Sequence, residues 1–260
     1  MCITRYADRL EDLYRRYNRR RFVHPDPLEF IYAYDDARDR EVAALIASSL
    51  AYGRMAQILR SVSGVLERLG ANPAARLRRS GPRDLRRMFA GFRHRFATDK
   101  ELCALLEGAG EVLRRFGSLE ACFAAGDDGG QTVISGLSAM VSCLDGDGRA
   151  GHLLPDPLKG SACKRLHLFL RWMVRKDRVD PGVWRCVSRA RLLVPVDTHM
   201  HRIARALGAT QRKSADLRTA LELTDAFRRI RPADPVRYDF ALTRLGIRAD
   251  ADPDDWLERS

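Results

Sequence analysis

The sequence of 260 residues lacks any apolar run near the roughly 20 residues that a membrane-spanning helix needs. It has no C-x-x-C pair, and the spacing of its six cysteines suggests no other pairing: they are Cys2, Cys103, Cys122, Cys143, Cys163 and Cys186. Neither a disulfide framework nor a zinc site is therefore indicated, and we expect buried thiols in a reduced, cytoplasmic setting. No segment alternates between apolar and polar residues for long enough to predict a sheet.

Acidic residues are in deficit, with 34 Asp and Glu against 46 Lys and Arg, which gives a formal net charge of +12. Such a surplus favours polyanionic partners. Nucleic acid is the first of these, and a membrane surface is the alternative. The N-terminal segment 1–22 is amphipathic and contains acidic residues, so we expect a first helix rather than a cleaved signal.

Apolar residues recur at helical intervals along most of the chain, which predicts an all-α fold. The segment 161–175 is apolar on most sides, as in a helix at the centre of a bundle. The spacing predicts further helices around these groups: Tyr6, Leu10, Leu13 and Tyr17; Val42, Leu45, Ile46 and Ser49; Ile58, Val62, Val65 and Leu69; Leu102, Leu105, Leu106 and Leu113; Val133, Ile134, Leu137 and Val141; Leu217, Leu221, Phe227 and Ile230; and residues 236–246.

The segment "LKGSACKRL" (158–166) indicates a break between two helices, in which Ser161 caps the second helix. Backbone N–H groups at such a helix start can bind a phosphate, and Lys159, Lys164 and Arg165 would strengthen the attraction. The simpler interpretation is a turn with a solvated lysine.

The segment "LLVPVDTHMHRIARALG" (192–208) places an acid and two histidines at the start of a helix. We expect Asp197 to be the N-cap that accepts the N–H of Met200, and Gly208 to end the helix in the left-handed conformation. His199 and His201 are two residues apart and face different ways on a helix, so no metal site is predicted. An acid behind an apolar stretch, where water is scarce, would strongly stabilise a nearby cation.

These two segments resemble motifs of the helix-hairpin-helix DNA glycosylases, the superfamily of endonuclease III and 8-oxoguanine DNA glycosylase. The segment "VPVDTHMHRIARALG" is similar to their V-D-x-H aspartate segment, and "LKGSACK" is similar to their L-P-G-V-G-x-K hairpin. Gly160 and Lys164 are in register with that hairpin, whereas Lys159 replaces its Pro and Ala162 its second Gly.

Two further segments resemble the 8-oxoguanine branch, which is the closest match, and they occur in the same order. The segment 45–70 is similar to its F-I-C-S-S-N-N-N segment, and "AGFRHRFAT" (90–98) is similar to its G-Y-R-A-R-Y. The segment "YDFALTRLG" (238–246) is similar to the last helix of the superfamily's base pocket. The resemblance covers the chain from about Val42 to Gly246.

The resemblance implies a role for several residues of this chain. Lys164 would be the nucleophile, and Asp197 would be the carboxylate that stabilises the cationic sugar and helps to remove the proton from Lys164. DNA binding is assigned to Lys159, Gly160, Ser161, Ala162, His199, Arg54 and Arg93, with Arg93 probing the opposite base. The residues that fill the gap left by the flipped base would be Tyr52 and Phe92, for which ordinary core packing is an equal alternative. The base pocket would contain Asp239, Phe240 and Arg244.

Some features depart from the superfamily pattern. The 33 residues from Lys164 to Asp197 exceed the usual gap, so "RKDRVDPGVWRCVSR", within 175–190, has the character of an insertion. No cysteine quartet follows the last helix, so we expect neither an iron–sulfur cluster nor any other cofactor. Leu50, Ala51 and Tyr52 replace the Asn run, while Phe240 and Arg244 occupy the positions of a Gln and a Phe.

The resemblance implies two helical lobes with a cleft between them, one formed by residues 36–190 and the other by 1–35 with 191–260. It implies a monomeric, nucleoid-associated enzyme that acts on duplex DNA containing a damaged base. The expected activity is base-excision repair by a DNA glycosylase with AP-lyase activity, with 8-oxoguanine as the first choice of base. The alternatives are a monofunctional glycosylase for another, alkylated base, or a non-enzymatic damage-binding module on the same fold.

Overall fold

The computed structural model describes residues 3–247 of the chain. Its α-helices are α1 (Ala7–Tyr17), α2 (Ala37–Ser49), α3 (Met55–Leu69), α4 (Pro73–Arg79), α5 (Pro82–Met88), α6 (Asp99–Phe116), α7 (Leu119–Gly126), α8 (Ile134–Leu144), α9 (Lys164–Val174), α10 (Thr198–Ala206), α11 (Leu217–Ile230) and α12 (Asp239–Ile247). Short 3-10 helices occupy Ile3–Tyr6, Arg20–Phe22, Pro27–Ala33, Gly151–Leu153, Pro157–Lys159 and Arg189–Arg191. Two short strands, β1 (Arg93–His94) and β2 (Ala97–Thr98), pair antiparallel.

The prediction of a mainly helical fold is confirmed, since nearly all of the regularly spaced apolar residues lie on helices. Val133 and residues 161–163 and 236–238 lie just before α8, α9 and α12. Local signals set many of the helix ends. Asp36 accepts the N–H groups of Arg38 and Asp39 at the start of α2. Thr98 and Glu101 form a reciprocal capping box at the start of α6, which ends at Gly117 in the left-handed conformation.

Helix α9 packs against α2 in the core. Leu166, Phe169, Leu170 and Trp172 of α9 are fully or almost fully buried, as are residues 42–47 of α2. Lys164, Leu168 and Arg171 follow each other at intervals of four and three residues, so they share one face of α9. That face lines the candidate functional site, while the rest of α9 anchors it to the core.

Within residues 175–189, which resemble an insertion in the sequence, several side chains pack into the interior while others are exposed. Cys186 is among the exposed ones, so the expectation of buried thiols is wrong for this residue. Trp184 is 2% exposed, lies 5.5 Å from Phe123 and 5.4 Å from Phe169 between ring centroids, and donates from Nε1 to Glu41 Oε1 at 2.8 Å. Asp180 is fully buried between the guanidinium groups of Arg171 and Arg175. The segment is therefore part of the core that supports α9.

The N-terminal helix contacts the C-terminal part of the described chain. Glu11 of α1 accepts hydrogen bonds from Arg231 Nε at 2.7 Å, from the guanidinium of Arg237 at 3.1 Å and from the hydroxyl of Tyr238 at 2.6 Å. The division into lobes of 36–190 and 1–35 with 191–260 stays a prediction. Between residues 3 and 247, no helix has the length and apolar character needed to cross a membrane.

Candidate active site

A cavity of about 660 Å³ lies where α3, α9, α10 and α12 meet the turns at 51–54 and 26–27. It brings together both predicted catalytic residues, all three predicted pocket residues, one of the two wedge candidates and two of the seven predicted DNA-binding residues. Those that line it are Tyr52, Arg54, Lys164, Asp197, His199, Asp239, Phe240 and Arg244. The volume lies within the range of small-molecule binding sites, about 300–1,000 Å³.

Lys164 and Asp197 form an ion pair at the cavity wall, with Lys164 Nζ 2.7 Å from Asp197 Oδ2. Both side chains are about one-third exposed, at 35% and 36%. Lys164 is the first residue of α9, and Asp197 caps α10, where Oδ1 accepts the N–H of Met200 at 2.8 Å. The cap predicted from the sequence is thus confirmed, and Gly208 adopts the expected left-handed conformation with φ of 69°.

Asp197 therefore pairs with Lys164 through Oδ2 and caps α10 through Oδ1. Burial raises the pKa of the carboxyl, but the charge and hydrogen bond of Lys164, with the Met200 N–H, outweigh it. The pKa of Asp197 consequently lies below its usual range, and the group remains an anion at neutral pH.

Behind this pair, Arg171 joins the cavity to the buried core. Its Nη1 donates to Asp239 Oδ2, and its Nε donates to Asp180 Oδ1 at 3.2 Å. Burial opposes the charge of Arg171, but the two carboxylates outweigh it and raise the pKa of the guanidinium. Asp239 is 3% exposed, so its position depends on this arginine.

The deep wall of the cavity is formed by Phe240 and Arg244 of α12, which are 3% and 2% exposed. Arg244 Nη2 donates to Asp26 Oδ2 at 2.6 Å, and Nη1 donates to the carbonyl of Phe22 at 3.1 Å. Its guanidinium carbon lies 4.4 Å from the centroid of the Phe240 ring. The Nε of Arg244 is buried and makes no hydrogen bond within the described residues.

The lining of the cavity is strongly cationic. Six Lys and Arg side chains face three carboxylates, and each carboxylate forms an ion pair with one of these cations. The three cations without a carboxylate partner in the described part of the chain are Arg54, Arg95 and Arg165. The cavity is therefore suited to an anionic ligand.

The hairpin at 157–163 lies next to the cavity but does not line it. Ser161 does not cap the following helix, contrary to expectation: α9 begins at Lys164, and its N-cap is Cys163, with φ of 42°. The hydroxyl of Ser161 instead accepts the N–H of Cys163 at 3.3 Å, because that residue turns the chain in the left-handed conformation.

The backbone of this hairpin is partly occupied by internal hydrogen bonds. Gly160 has φ of 81° and donates its N–H to Pro157 at 3.3 Å. Lys159, Gly160 and Ser161 are exposed, and Ala162 is buried. The hairpin thus offers an exposed lysine and fewer free amides than its sequence suggested.

The β1–β2 hairpin presents different residues from those predicted. Arg93 is exposed outside the cavity, whereas Arg95, with φ of 53° at the turn, lines it. Phe92 is half-buried against the core, and Phe96 is 74% exposed at the hairpin tip. Arg95 and Phe96 were missed because the turn, and not the residue types, decides which side chains face outward.

Tyr52 lines the cavity but is held on several sides. Its hydroxyl donates to the carbonyl of His94 at 2.9 Å and lies 3.0 Å from His152 Nε2. The guanidinium carbon of Arg165 lies 4.9 Å from the centroid of its ring. These contacts hold the Tyr52 ring in place, whereas Phe96 is 74% exposed.

His199 lines the cavity beside Asp197, and its Nε2 is buried without a hydrogen bond among the described residues. His201 points elsewhere, with Nε2 2.9 Å from the carbonyl of Arg212. Within residues 3–247, no group of three or more His, Cys, Asp or Glu side chains could hold a metal ion. The expected lack of a metal and of an iron–sulfur cluster stays a prediction.

A family model described as "Protein of unknown function (DUF2400)" matches residues 26–248, which is most of the chain. The protein belongs to this family. The match spans every residue that lines the cavity, so the ion pair of Lys164 and Asp197 lies within the part shared with DUF2400. No curated protein and no solved structure matches the chain.

Proposed function

We propose that this DUF2400 protein is a DNA glycosylase with AP-lyase activity that removes a damaged base from duplex DNA. The observation that carries the proposal is the contact of 2.7 Å between Lys164 Nζ and Asp197 Oδ2 at the wall of a cationic cavity. An amine beside a fixed carboxylate is the pair of groups needed to displace a base from a sugar carbon through a cationic transition state.

The chemistry begins with a damaged nucleotide that has left the duplex, at a cost of a few kcal/mol. Lys164 first gives one proton to solvent. Its neutral Nζ then bonds to the sugar carbon C1′ while the bond from C1′ to the base breaks, and the base leaves with the bonding electrons and takes up a proton. Asp197 stabilises the positive charge that develops on the sugar. The bond from C1′ to the ring oxygen then breaks, the oxygen takes up a proton, and Lys164 Nζ and C1′ form a Schiff base. Loss of a proton from C2′, next to the imine, expels the phosphate at C3′ and so breaks the strand on the 3′ side.

The low pKa of Asp197 favours its role as a fixed anion over a role as a strong base. A carboxylate that already pairs with an ammonium is preorganised to face a second cation in the same place. Removal of the proton from Lys164 by Asp197 is the less favoured part of the scheme, because a carboxylate with a lowered pKa holds a proton weakly.

Phe240 and Arg244 support recognition of a flipped base. Both residues line the cavity but are 3% and 2% exposed, so the Phe240 ring can stack on a flipped base, and Arg244 Nε can donate to a base carbonyl, only after a local movement of these side chains. An oxidised purine, with 8-oxoguanine first, is the proposed substrate, and an alkylated base is the alternative. The proposal for 8-oxoguanine comes mainly from the resemblance of the segments 45–70 and 90–98.

The proposal includes the two-lobed helix-hairpin-helix arrangement, with lobes of 36–190 and 1–35 with 191–260. It is supported by the hydrogen bonds of Glu11 with the 231–238 segment, which bring the N-terminal helix to the C-terminal part. The wedge that fills the space of the flipped base is assigned to Phe96, because it is exposed next to the cavity-lining Arg95.

The test is incubation of the full chain with duplexes that each contain one damaged base, including 8-oxoguanine, an alkylated purine, uracil and thymine glycol. Strand cleavage before and after alkali separates lyase action from base removal alone. Cleavage of the 8-oxoguanine duplex without alkali supports the proposal. Breaks only after alkali would indicate the monofunctional alternative, and binding without base removal would indicate the damage-binding module.

A further inference from the structure

A cluster of arginines on α4 and α5 takes no part in the candidate active site. We name it the α4–α5 patch; its members are Arg76, Arg78, Arg79, Arg83, Arg86 and Arg87. All six are exposed, and none lines the cavity that contains Lys164. Asp84 is the single acidic residue within 71–98.

Most of this charge is uncompensated. Arg87 lies 3.4 Å from Asp84, with both side chains at least half exposed, and Arg86 lies 3.9 Å from Glu107. The other four arginines make no ion pair within the described residues. The exposed pair of Arg87 and Asp84 contributes little, and Glu107 pairs more closely with Arg149, at 3.0 Å, so the patch is in effect a cationic surface.

Three of these arginines converge. Arg76, Arg79 and Arg87 line one shallow depression of about 440 Å³ between α4 and α5, together with Asp84. The guanidinium group presents several N–H donors in a fixed fork that matches the oxygens of a phosphate. Only five of the chain's 46 cationic residues are lysines, so this fork geometry dominates its basic surface.

The patch is connected to the cavity by one helix. Met55 and Ile58 of α3 line the cavity, and α3 ends at Leu69, just before α4 begins at Pro73. Fourteen residue steps along a helix span about 21 Å, the length of roughly six base pairs of duplex. The patch therefore begins at a distance from the cavity that is shorter than one turn of a duplex.

We infer that the α4–α5 patch is a second binding site for nucleic-acid phosphates, which holds duplex DNA beside the cavity and independently of any damaged base. The inference rests on the proposed function for the identity of the polyanion. It predicts that the patch contributes to affinity for undamaged DNA and not to the chemical step.

The test compares two variants with equal loss of charge, using an undamaged, fluorescently labelled duplex of about 25 base pairs and a range of salt concentrations. The first variant carries Arg76→Gln, Arg79→Gln and Arg83→Gln in the patch. The matched control carries Arg16→Gln, Arg178→Gln and Arg229→Gln, which replace exposed arginines on α1, on the 177–180 turn and on α11. Because glutamine has a helix propensity close to that of arginine, both should fold normally.

If each patch arginine contacts one phosphate, the slope of log affinity against log salt falls by about 2.7 in the patch variant. Between 50 and 200 mM salt, wild-type binding should then weaken about 40-fold more than binding by that variant. The control should keep a slope within about one unit of wild type. A single-stranded RNA of the same length is measured in parallel.

Equal losses in the two variants would overturn the inference while leaving the proposed glycosylase standing. A loss confined to RNA would also overturn it. Failure of the wild type to bind duplex DNA at low salt would overturn both the inference and the proposed function. If the salt dependence of DNA affinity falls only in the patch variant, the inference is supported. If the wild-type chain also cleaves no damaged base, the proposed activity is contradicted while the inference stands.

Discussion

Replacement of Asp197 by Asn separates the helix cap from the catalytic charge. Asp197 Oδ1 accepts the Met200 N–H at 2.8 Å, while Oδ2 contacts Lys164 Nζ at 2.7 Å. Asparagine caps a helix about as well as aspartate, so Asp197→Asn preserves the first contact. It replaces the carboxylate that faces Lys164 with a neutral amide.

The expected effects on stability and rate differ in size. Both partners of the ion pair are about one-third exposed, so its loss should lower the free energy of unfolding by about 1 kcal/mol or less. The loss of one preorganised electrostatic group at a developing charge typically slows a reaction by about 100- to 1,000-fold. Urea denaturation measures the first quantity, and single-turnover release of the damaged base measures the second.

Asp216 provides a matched control within the same chain. It caps α11 by accepting the Thr219 N–H at 3.0 Å and pairs with Arg212 at 2.5 Å, but it does not line the cavity. Asp216→Asn should therefore change stability by a similar amount and leave the rate unchanged. A catalytic charge predicts a loss of about 100- to 1,000-fold in the rate of base release. If Asp197→Asn instead keeps a rate within about threefold of wild type, Asp197 is only a cap and the proposed mechanism is wrong.

Three other perturbations have outcomes set by burial. His167 is fully buried without a hydrogen bond, and burial lowers its pKa to about 4 from 6.5. The free energy of unfolding should therefore fall by at most about 3 kcal/mol as the pH drops from about 6.5 toward 4. In urea denaturation, His167→Leu should remove that part of the pH dependence. Asp180→Asn removes one carboxylate from two buried arginines, of which Arg171 keeps Asp239 and Arg175 keeps Asp234. The free energy of unfolding should therefore fall by about 1.5–3 kcal/mol, and an unchanged value would contradict the assigned network. Phe96→Ala should slow base release from duplex DNA but not from single strands, with little change in melting temperature. Phe92→Ala should mainly destabilise the fold. Equal rates of base release by Phe96→Ala and wild type on duplex DNA would exclude Phe96 as the wedge.

Much of the helical fold could be predicted because apolar spacing reports directly on the buried face of a helix. The regularly spaced residues Ile58, Val62, Val65 and Leu69 lie on α3, and most of the segment 236–246 lies on α12. Short helices such as α4 and α5 escaped prediction because seven residues contain too few apolar positions to show a period. Asp197 could be predicted as a cap because capping depends on a hydrogen bond to the N–H of Met200, only three residues later in the sequence.

Contacts between distant residues could not be predicted from the sequence. The segment 175–189 looked like an insertion, yet Asp180 and Trp184 are buried in the core. Their burial depends on partners such as Arg171 and Glu41, which spacing along the chain does not reveal. The same holds for Arg95, whose direction follows from a turn with φ of 53°.

The central claim, that Lys164 is a nucleophile acting on DNA, is tested most directly by borohydride trapping. The full chain is incubated with the 8-oxoguanine duplex and borohydride, and the covalent adduct is located by peptide mass spectrometry among the five lysines. We predict an adduct on Lys164, its loss in Lys164→Gln with lesion binding retained, and its persistence in Lys159→Gln, which alters an exposed lysine of the same hairpin. No adduct with any damaged duplex, or an adduct that survives Lys164→Gln, would contradict the account.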